Sequence, residues 1–301
     1  KICVVGGGMT GAIMALLLKR SKLFNTSDIA WIMPNIKIPN DLRTTFYNEE
    51  SIELLSKLNI WSDLKKSDYT QVKKIQVFGK KNATPLIWDN SNKDKNFGAV
   101  VKNKVMLDSI FSKLNDIKKY ENFVTNTTCD NFERTLYLND KHYVKTNLVL
   151  CADGKNSQLR KLLLIKTILK KTGHIAISGF LEQSKDHEFT ATQAFTKLGP
   201  IGLLPFENKN KINFVLSVDE TIYKNISSKN NPEQYICEKL ENFFSNLNLN
   251  FKPIKKINNL KNNLSSWPLD LNFIINPTAN RAVLIGDAAH SIHPLAGQGL
   301  N

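Results

Sequence analysis

Glycines and acids at set positions carry the chemistry of this chain. Gly6-Gly7-Gly8-Met9-Thr10-Gly11 stands near the start and Cys151-Ala152-Asp153-Gly154-Lys155-Asn156-Ser157 in the middle. Gly286-Asp287-Ala288-Ala289-His290 comes near the end and runs on to Pro294-Leu295-Ala296-Gly297-Gln298-Gly299. Gly6, Gly8 and Gly11 follow an apolar run and open a helical one. In that context Gly6 permits a tight turn, and Gly8 lets backbone N–H groups, those of Met9 and Thr10 included, approach a pyrophosphate. Gly11 brings the helix close to the sheet. The helix N-terminus adds favourable charge for phosphate.

Gly286 and Asp287 close another apolar strand, where a carboxylate can accept hydrogen bonds from a polyol such as ribitol. Beyond Pro294, Gly297 and Gly299 flank Gln298 and lead through Leu300 and Asn301 into a helical stretch. Their N–H groups could stabilise negative charge on the pyrimidine end of a reduced flavin. Alone, this is an ordinary strand–loop–helix connection; paired with Gly6–Gly11, it suits the far end of one extended cofactor. The fingerprint also expects an acid about 20 residues on, to bind ribose hydroxyls. Met33 stands there, which leaves Asn35 as a candidate acceptor. Asp153, Gly154, Asn156, Ser157 and Arg160 read as a cofactor-proximal turn rather than a surface one. Arg43 either pairs with Asp41 in solvent or reaches over the cofactor. His290 and His293 form an HxxH with no further ligands nearby, so they read as structural and no metal is expected.

These residues need a frame. Lys1–Val5 and Asp28–Met33 are apolar strands around a helix at Ala12–Leu18, a βαβ unit that requires a parallel sheet. Thr146–Ala152 and Arg281–Ile285 read as two more such strands. Asn48 caps a helix with Glu49 and Glu50 in its first turn and a stripe of Ile52, Leu55 and Leu58. Another helix, Lys104–Ile117, repeats Met106, Ile110, Leu114 and Ile117 on one face. The intervening material alternates differently. Ile175, Ile177 and Leu181, then Ile212, Phe214, Leu216 and Val218, predict half-exposed antiparallel strands, and Val72–Phe78 with Pro85–Trp88 predicts an earlier hairpin of the same sheet. A helix opens at Pro232, capped by Asn231, with Ile236, Leu240, Phe243 and Phe244 facing inward. Residues 225–231 and 255–266 read as polar loops. The expected fold is α/β, a Rossmann-like cofactor domain (1–70, 98–170 and 268–301) interrupted by an antiparallel-sheet substrate domain (71–97 and 171–267).

Composition narrows the function classes. At 301 residues the chain can bury a large core. It has no 18-residue apolar run, and its glycine-broken N-terminus does not read as a signal peptide. Four separated cysteines with no CxxC indicate neither a zinc site nor a disulfide framework, and Cys3 and Cys151 read as buried thiols. A cytoplasmic location follows. The net charge of +14 comes from scattered lysines, with no nucleic-acid motif. It reads first as decoration of solvated faces and leaves a membrane-surface role open.

Together GGGMTG, CADGKNSQLR and GDAAHSIHPLAGQGLN resemble the class A flavoprotein aromatic hydroxylases, with the p-hydroxybenzoate hydroxylase-like fold. The last motif is closest to the ubiquinone-biosynthesis hydroxylases that act on polyprenylphenols. DLRTT at 41–45, FGAVVKNKV at 97–105, GPIGLLPF at 199–206 and WPLDL at 267–271 extend the resemblance over nearly the whole chain. It implies FAD as cofactor, NAD(P)H and O2 as co-substrates, and a polyprenylphenol ring as the site of hydroxylation. That substrate adds peripheral attachment at the inner membrane surface, or a biosynthetic complex, to the expected settings. It further implies that Gly6, Gly8 and Gly11 hold the pyrophosphate, Arg43 and the Asn103 position contact the cofactor, and Asp153 serves both FAD and NAD(P)H. Asp287 would bind ribitol, and Pro294 with Gly297–Asn301 would line the isoalloxazine. No residue is singled out as acid or base. Met33, Lys102 and Ala194 depart from the family pattern. In that family the chain continues past the position of Asn301 into a helical segment, which makes a fragment the expectation. The rival readings are a non-catalytic flavin-binding or scaffold subunit, and a related FAD-dependent reductase or halogenase.

Overall fold

The computed structural model describes residues 1–34, 43–81, 83–91, 95–254 and 264–291. Its first sheet has six strands in the order Thr278–Ala279, Ala282–Leu284, Leu148–Cys151, Ile2–Val5, Ile29–Met33, Lys118–Glu121. All pairings are parallel except the edge pair of Thr278–Ala279 with Ala282–Leu284. These strands read as continuous apolar runs because both faces are covered. On one face Ile2, Val4, Trp31 and Met33 pack with the helices Met9–Arg20 and Asn103–Ser112. On the other, Cys3, Val5, Ile32, Val149 and Cys151 pack with Leu159 and with Val124, Leu136 and Val144. Those last three belong to an antiparallel meander, Val124–Cys129, Arg134–Leu138 and Tyr143–Thr146, that the sequence reading did not foresee.

Two separate excursions of the chain build one large sheet. Its order is Phe251–Pro253, His174–Gln183, Lys211–Asp219, Pro200–Pro205, Thr190–Phe195, Lys74–Phe78, Leu86–Asp89, with Ser265–Pro268 also paired to His174–Gln183. The two excursions meet where Thr190–Phe195 runs parallel to Lys74–Phe78. Helices Glu220–Ser227 and Pro232–Phe243 cover one face, burying Ile226, Ile236 and Leu240 against Ile212, Phe214 and Leu216. Asp219 and Asn231 cap them by accepting from Ile222 and Gln234 N–H, as Asn48 caps its helix by accepting from Ser51. A three-stranded sheet, Thr44–Asn48, Gly98–Lys102 and Tyr69–Val72, joins the two larger ones. Val72 and Val100 pack on Phe180 and Phe206 of the large sheet.

Several boundaries differ from the sequence reading. The central strands of the large sheet are buried on both faces, not half-exposed: Asn213 and Ser217 are 1% and 6% exposed. Asn213 is admitted because its amide donates to Gly179 O at 3.0 Å and its oxygen accepts from Thr44 Oγ1 at 2.9 Å. The apolar run at 72–78 is shared between two sheets, ending one strand at Val72 and starting the next at Lys74. The run at 146–152 likewise splits at Asn147, whose N–H bonds Lys1 O. The third helix stops at Ser112, although Leu114 and Ile117 remain buried. Residues 225–227 end a helix rather than forming a loop, and 265–266 begin a strand.

Candidate FAD site

The carboxyl edge of the parallel sheet is where the sequence motifs converge. Val5 pairs with Cys151, and Cys151 with Leu284, so the strands leading to Gly6, Asp153 and Asp287 end side by side. In open α/β sheets this edge is where ligands bind. Gly6 is held on three sides. Its N–H donates to Ile32 O at 2.8 Å, its carbonyl accepts from the buried Trp31 indole at 2.9 Å, and a Cβ there would overlap the Ala152 carbonyl. Its φ of +127° is a region side chains rarely adopt. A Cβ on Gly11 would overlap Gly6 O, so this glycine sets how closely the first helix approaches the turn. Gly8 is the opposite case: it is exposed, and a Cβ there would meet nothing within 4 Å. The helix it opens has no side-chain cap and no acid in its first turn, and carries Lys19 and Arg20 in its last. Its N-terminal amides and dipole are therefore available to an anion.

The other two motifs close on the same point. A Cβ on Gly286 would lie 2.7 Å from Thr10 Oγ1, so the last motif packs directly on the first turn of the first helix. Arg160 ties the middle motif to the last: buried, it donates to Lys155 O at 2.8 Å and to Ala288 O at 2.9 Å. Asp153 accepts the Leu159 N–H with one carboxylate oxygen, while the other, Oδ1, is buried with no protein donor. Asp287 keeps an exposed face, yet the protein around the rest of its carboxylate raises its pKa above the ordinary value. His290 and Lys155 pull the other way.

Arg43 and Asn103 lie together at one end of the three-stranded sheet, just before Thr44 and just after Lys102, with Asn103 N–H donating to Arg43 O at 3.0 Å and Asn103 Oδ1 accepting from Thr45 at 2.7 Å. Tyr47, on the same sheet, carries its hydroxyl to 3.9 Å from the Met9 sulfur, linking this sheet to the first helix. Lys102 is engaged elsewhere, donating to Glu207 at 2.5 Å and lying 5.1 Å from the Phe206 ring centre. With Ser67, Tyr69, Thr70 and Val105, these residues line a small pocket of about 50 Å³ between the two sheets. Asn35, Pro294, Gly297, Gln298, Gly299, Leu300 and Asn301, with Asp41 and His293, lie outside the described residues. Among the described residues no cluster of three or more His, Cys, Asp or Glu could hold a metal ion.

This arrangement fits a dinucleotide: an open amide cradle at Gly8, an orphaned buried acceptor at Asp153 and a carboxylate beside the cradle at Asp287. The family model of the FAD binding domain matches residues 1–301. The chain belongs to this FAD-binding family. It is 26% identical over 362 residues to the ubiquinone biosynthesis monooxygenase COQ6 of Dictyostelium discoideum, covering all of this chain and 73% of that one. It is 25% identical over 310 residues to the 3-demethoxyubiquinol 3-hydroxylase of Escherichia coli, covering all of this chain and 76% of that one. The crystal structure of PqsL, a probable FAD-dependent monooxygenase from Pseudomonas aeruginosa, superposes with a TM-score of 0.80 at 15% identity, over all of this chain and 82% of that one. Like that fold, this FAD-binding protein joins a parallel and an antiparallel sheet, and it is an FAD-dependent enzyme.

Two contributors were missed by motif reading. Trp31 holds the Gly6 carbonyl; its signal was an indole N–H inside an otherwise apolar strand, which must find a buried acceptor. Ala152 contributes its carbonyl to the floor of the Gly6 turn, a backbone role that leaves no side-chain signature.

Proposed function

We propose that this chain is an FAD-dependent monooxygenase that hydroxylates the aromatic ring of a polyprenylphenol in ubiquinone biosynthesis, using NAD(P)H and O2. The observation that carries the cofactor assignment is the contact of Gly286 with Thr10 on the in-register strand ends of Val5, Cys151 and Leu284. Bound FAD would take electrons from NAD(P)H and activate O2, one oxygen atom entering the ring and the other leaving as water. The chain's residues bind and orient. The amides from Gly8 to Gly11 hold the pyrophosphate, Asp287 accepts ribitol hydroxyls, and Arg43 and Asn103 approach from the three-stranded sheet. Asp153 offers its buried Oδ1 to a donor, and the backbone N–H groups of 297–301 stabilise charge at the flavin. The strand Pro200–Pro205 and Phe206 form the wall on which the phenol ring stacks, away from water. The chain divides into a cofactor unit of 1–70, 98–170 and 268–301 and a substrate unit of 71–97 and 171–267.

The relatives' names, which specify quinone-precursor chemistry, support the substrate class. No described helix is long and apolar enough to cross a membrane. The net charge of +14 favours approach to an anionic lipid surface, where a polyprenyl substrate resides. The test is NADH or NADPH oxidation by the full-length protein, with and without a short-chain polyprenylphenol. A product 16 mass units heavier is expected (one oxygen atom, roughly, per turnover of the flavin). Bound FAD without ring hydroxylation of any polyprenylphenol would overturn the reading.

A further inference from the structure

Resting on the FAD assignment, we propose that Glu121, on the neighbouring strand, supplies the carboxylate for the adenosine ribose that position 33 lacks. The ribose hydroxyls of a dinucleotide are donors, and the fingerprint meets them with an acid at the end of the second strand. Here Met33 occupies that end, 9% exposed and packed into the helix-side core. The parallel ladder pairs Met33 with Glu121 at the end of Lys118–Glu121. Paired positions on adjacent strands are about 4.8 Å apart and project to the same face. The face is fixed by the alternation. Ile32 and its partner Tyr120 pack on the meander side. Trp31 and Met33 pack on the opposite, helix side, and Glu121 shares their register. The first helix, whose N-terminus faces the pyrophosphate, lies on that same side.

Glu121 is also held at the right height. Asn122 N–H donates to Met33 O at 2.8 Å, which continues the ladder past Glu121 and pins it to the carboxyl edge. Among the described residues at that edge, the carboxylates are Asp153, Asp287 and Glu121. Asp153 and Asp287 follow the strands on the far side of Ile2–Val5 from Met33. Glu121 is exposed and lies one strand beyond Met33, within reach of an extended side chain from the place where the missing acid would act.

The test is FAD affinity, measured by quenching of flavin fluorescence on titrating the apoprotein, for wild type, Glu121→Gln, Glu121→Asp and Glu121→Gln combined with Met33→Glu. A neutral amide at 121 is expected to weaken FAD by about tenfold, the scale of a hydrogen bond to a charged group. Aspartate should fall between, and Met33→Glu should restore affinity to the Gln variant. The melting temperature of each apoprotein reports folding separately, so that a change in stability is not read as a loss of FAD affinity. Unchanged FAD affinity in Glu121→Gln, or a loss that Met33→Glu does not repair, would overturn the proposal while leaving the FAD assignment standing. Wild-type protein that binds no FAD would instead remove the assignment on which the proposal rests.

Discussion

The carboxyl edge of the parallel sheet and the interior of the large antiparallel sheet are built by different rules. At the edge, a few positions are fixed by backbone proximity: Gly6 against Ala152, Gly11 against Gly6 and Gly286 against Thr10. In the large sheet, a cluster containing Phe214, Leu216, Ile201 and Leu240 is held by apolar volume that many side chains could supply. A cofactor gripped by backbone amides therefore leaves a residue-type signature, whereas a wall for an apolar ring does not. Damage should differ accordingly: at the edge a substitution can remove cofactor binding with or without the fold, while in the large sheet it weakens the fold and leaves the cofactor edge of the folded molecules intact.

The largest effect should come from Gly6→Ala. The new Cβ would overlap a backbone carbonyl at a φ of +127°, so a loss of about 4 kcal/mol or more is expected, read by urea denaturation or failure to fold. Phe214→Ala, in a residue with no exposure, should cost about 3–5 kcal/mol. If the comparison holds, the folded fraction of that variant still binds FAD with wild-type affinity, measurable by fluorescence titration below its melting point.

Asp287→Asn should act in opposite directions on binding and stability. The raised pKa of Asp287 means that the folded apoprotein takes up a proton there more readily than the unfolded chain. Its contribution to stability is thus most favourable at pH below the unfolded value and declines as pH rises through the folded one. The asparagine variant should melt slightly higher at neutral pH and lose that pH dependence, while FAD affinity drops roughly tenfold. The smallest effect belongs to Glu207. Burial would raise its pKa, but hydrogen bonds from Lys102 and Lys211 more than offset this and hold it below the usual value. Its stabilising contribution is present above the unfolded pKa and is lost as pH falls through the folded one. For so accessible an ion pair, Glu207→Gln should cost at most about 1 kcal/mol, seen as a reduced acid sensitivity of melting.

The same contrast explains which features are legible in the sequence. The βαβ start, the strands ending at Cys151 and Leu284, and the capped helices at Asn48 and Asn231 were legible, because periodicity and caps are local. The meander at 124–146 was missed: its strands expose Thr125, Asn126 and Tyr143 on one side and bury few large residues on the other, which leaves a weak alternation. The split at 72–74 was missed because one apolar run feeds two sheets, and only tertiary pairing divides it. In the candidate site, the glycines and acids announced themselves by type. Trp31, Ala152 and the bridging role of Arg160 depend on which backbone carbonyls come near, and that is decided by strand register.

Gly8 separates the central claim from every structural alternative, because a Cβ there touches no protein atom yet enters the space assigned to pyrophosphate. FAD titration of Gly8→Ala, alongside its apoprotein melting curve, is the direct measurement. Melting within about 1 kcal/mol of wild type combined with a loss of FAD affinity of a hundredfold or so is the expected result. A folded Gly8→Ala protein that binds FAD as tightly as wild type would contradict the assignment of this edge to the cofactor.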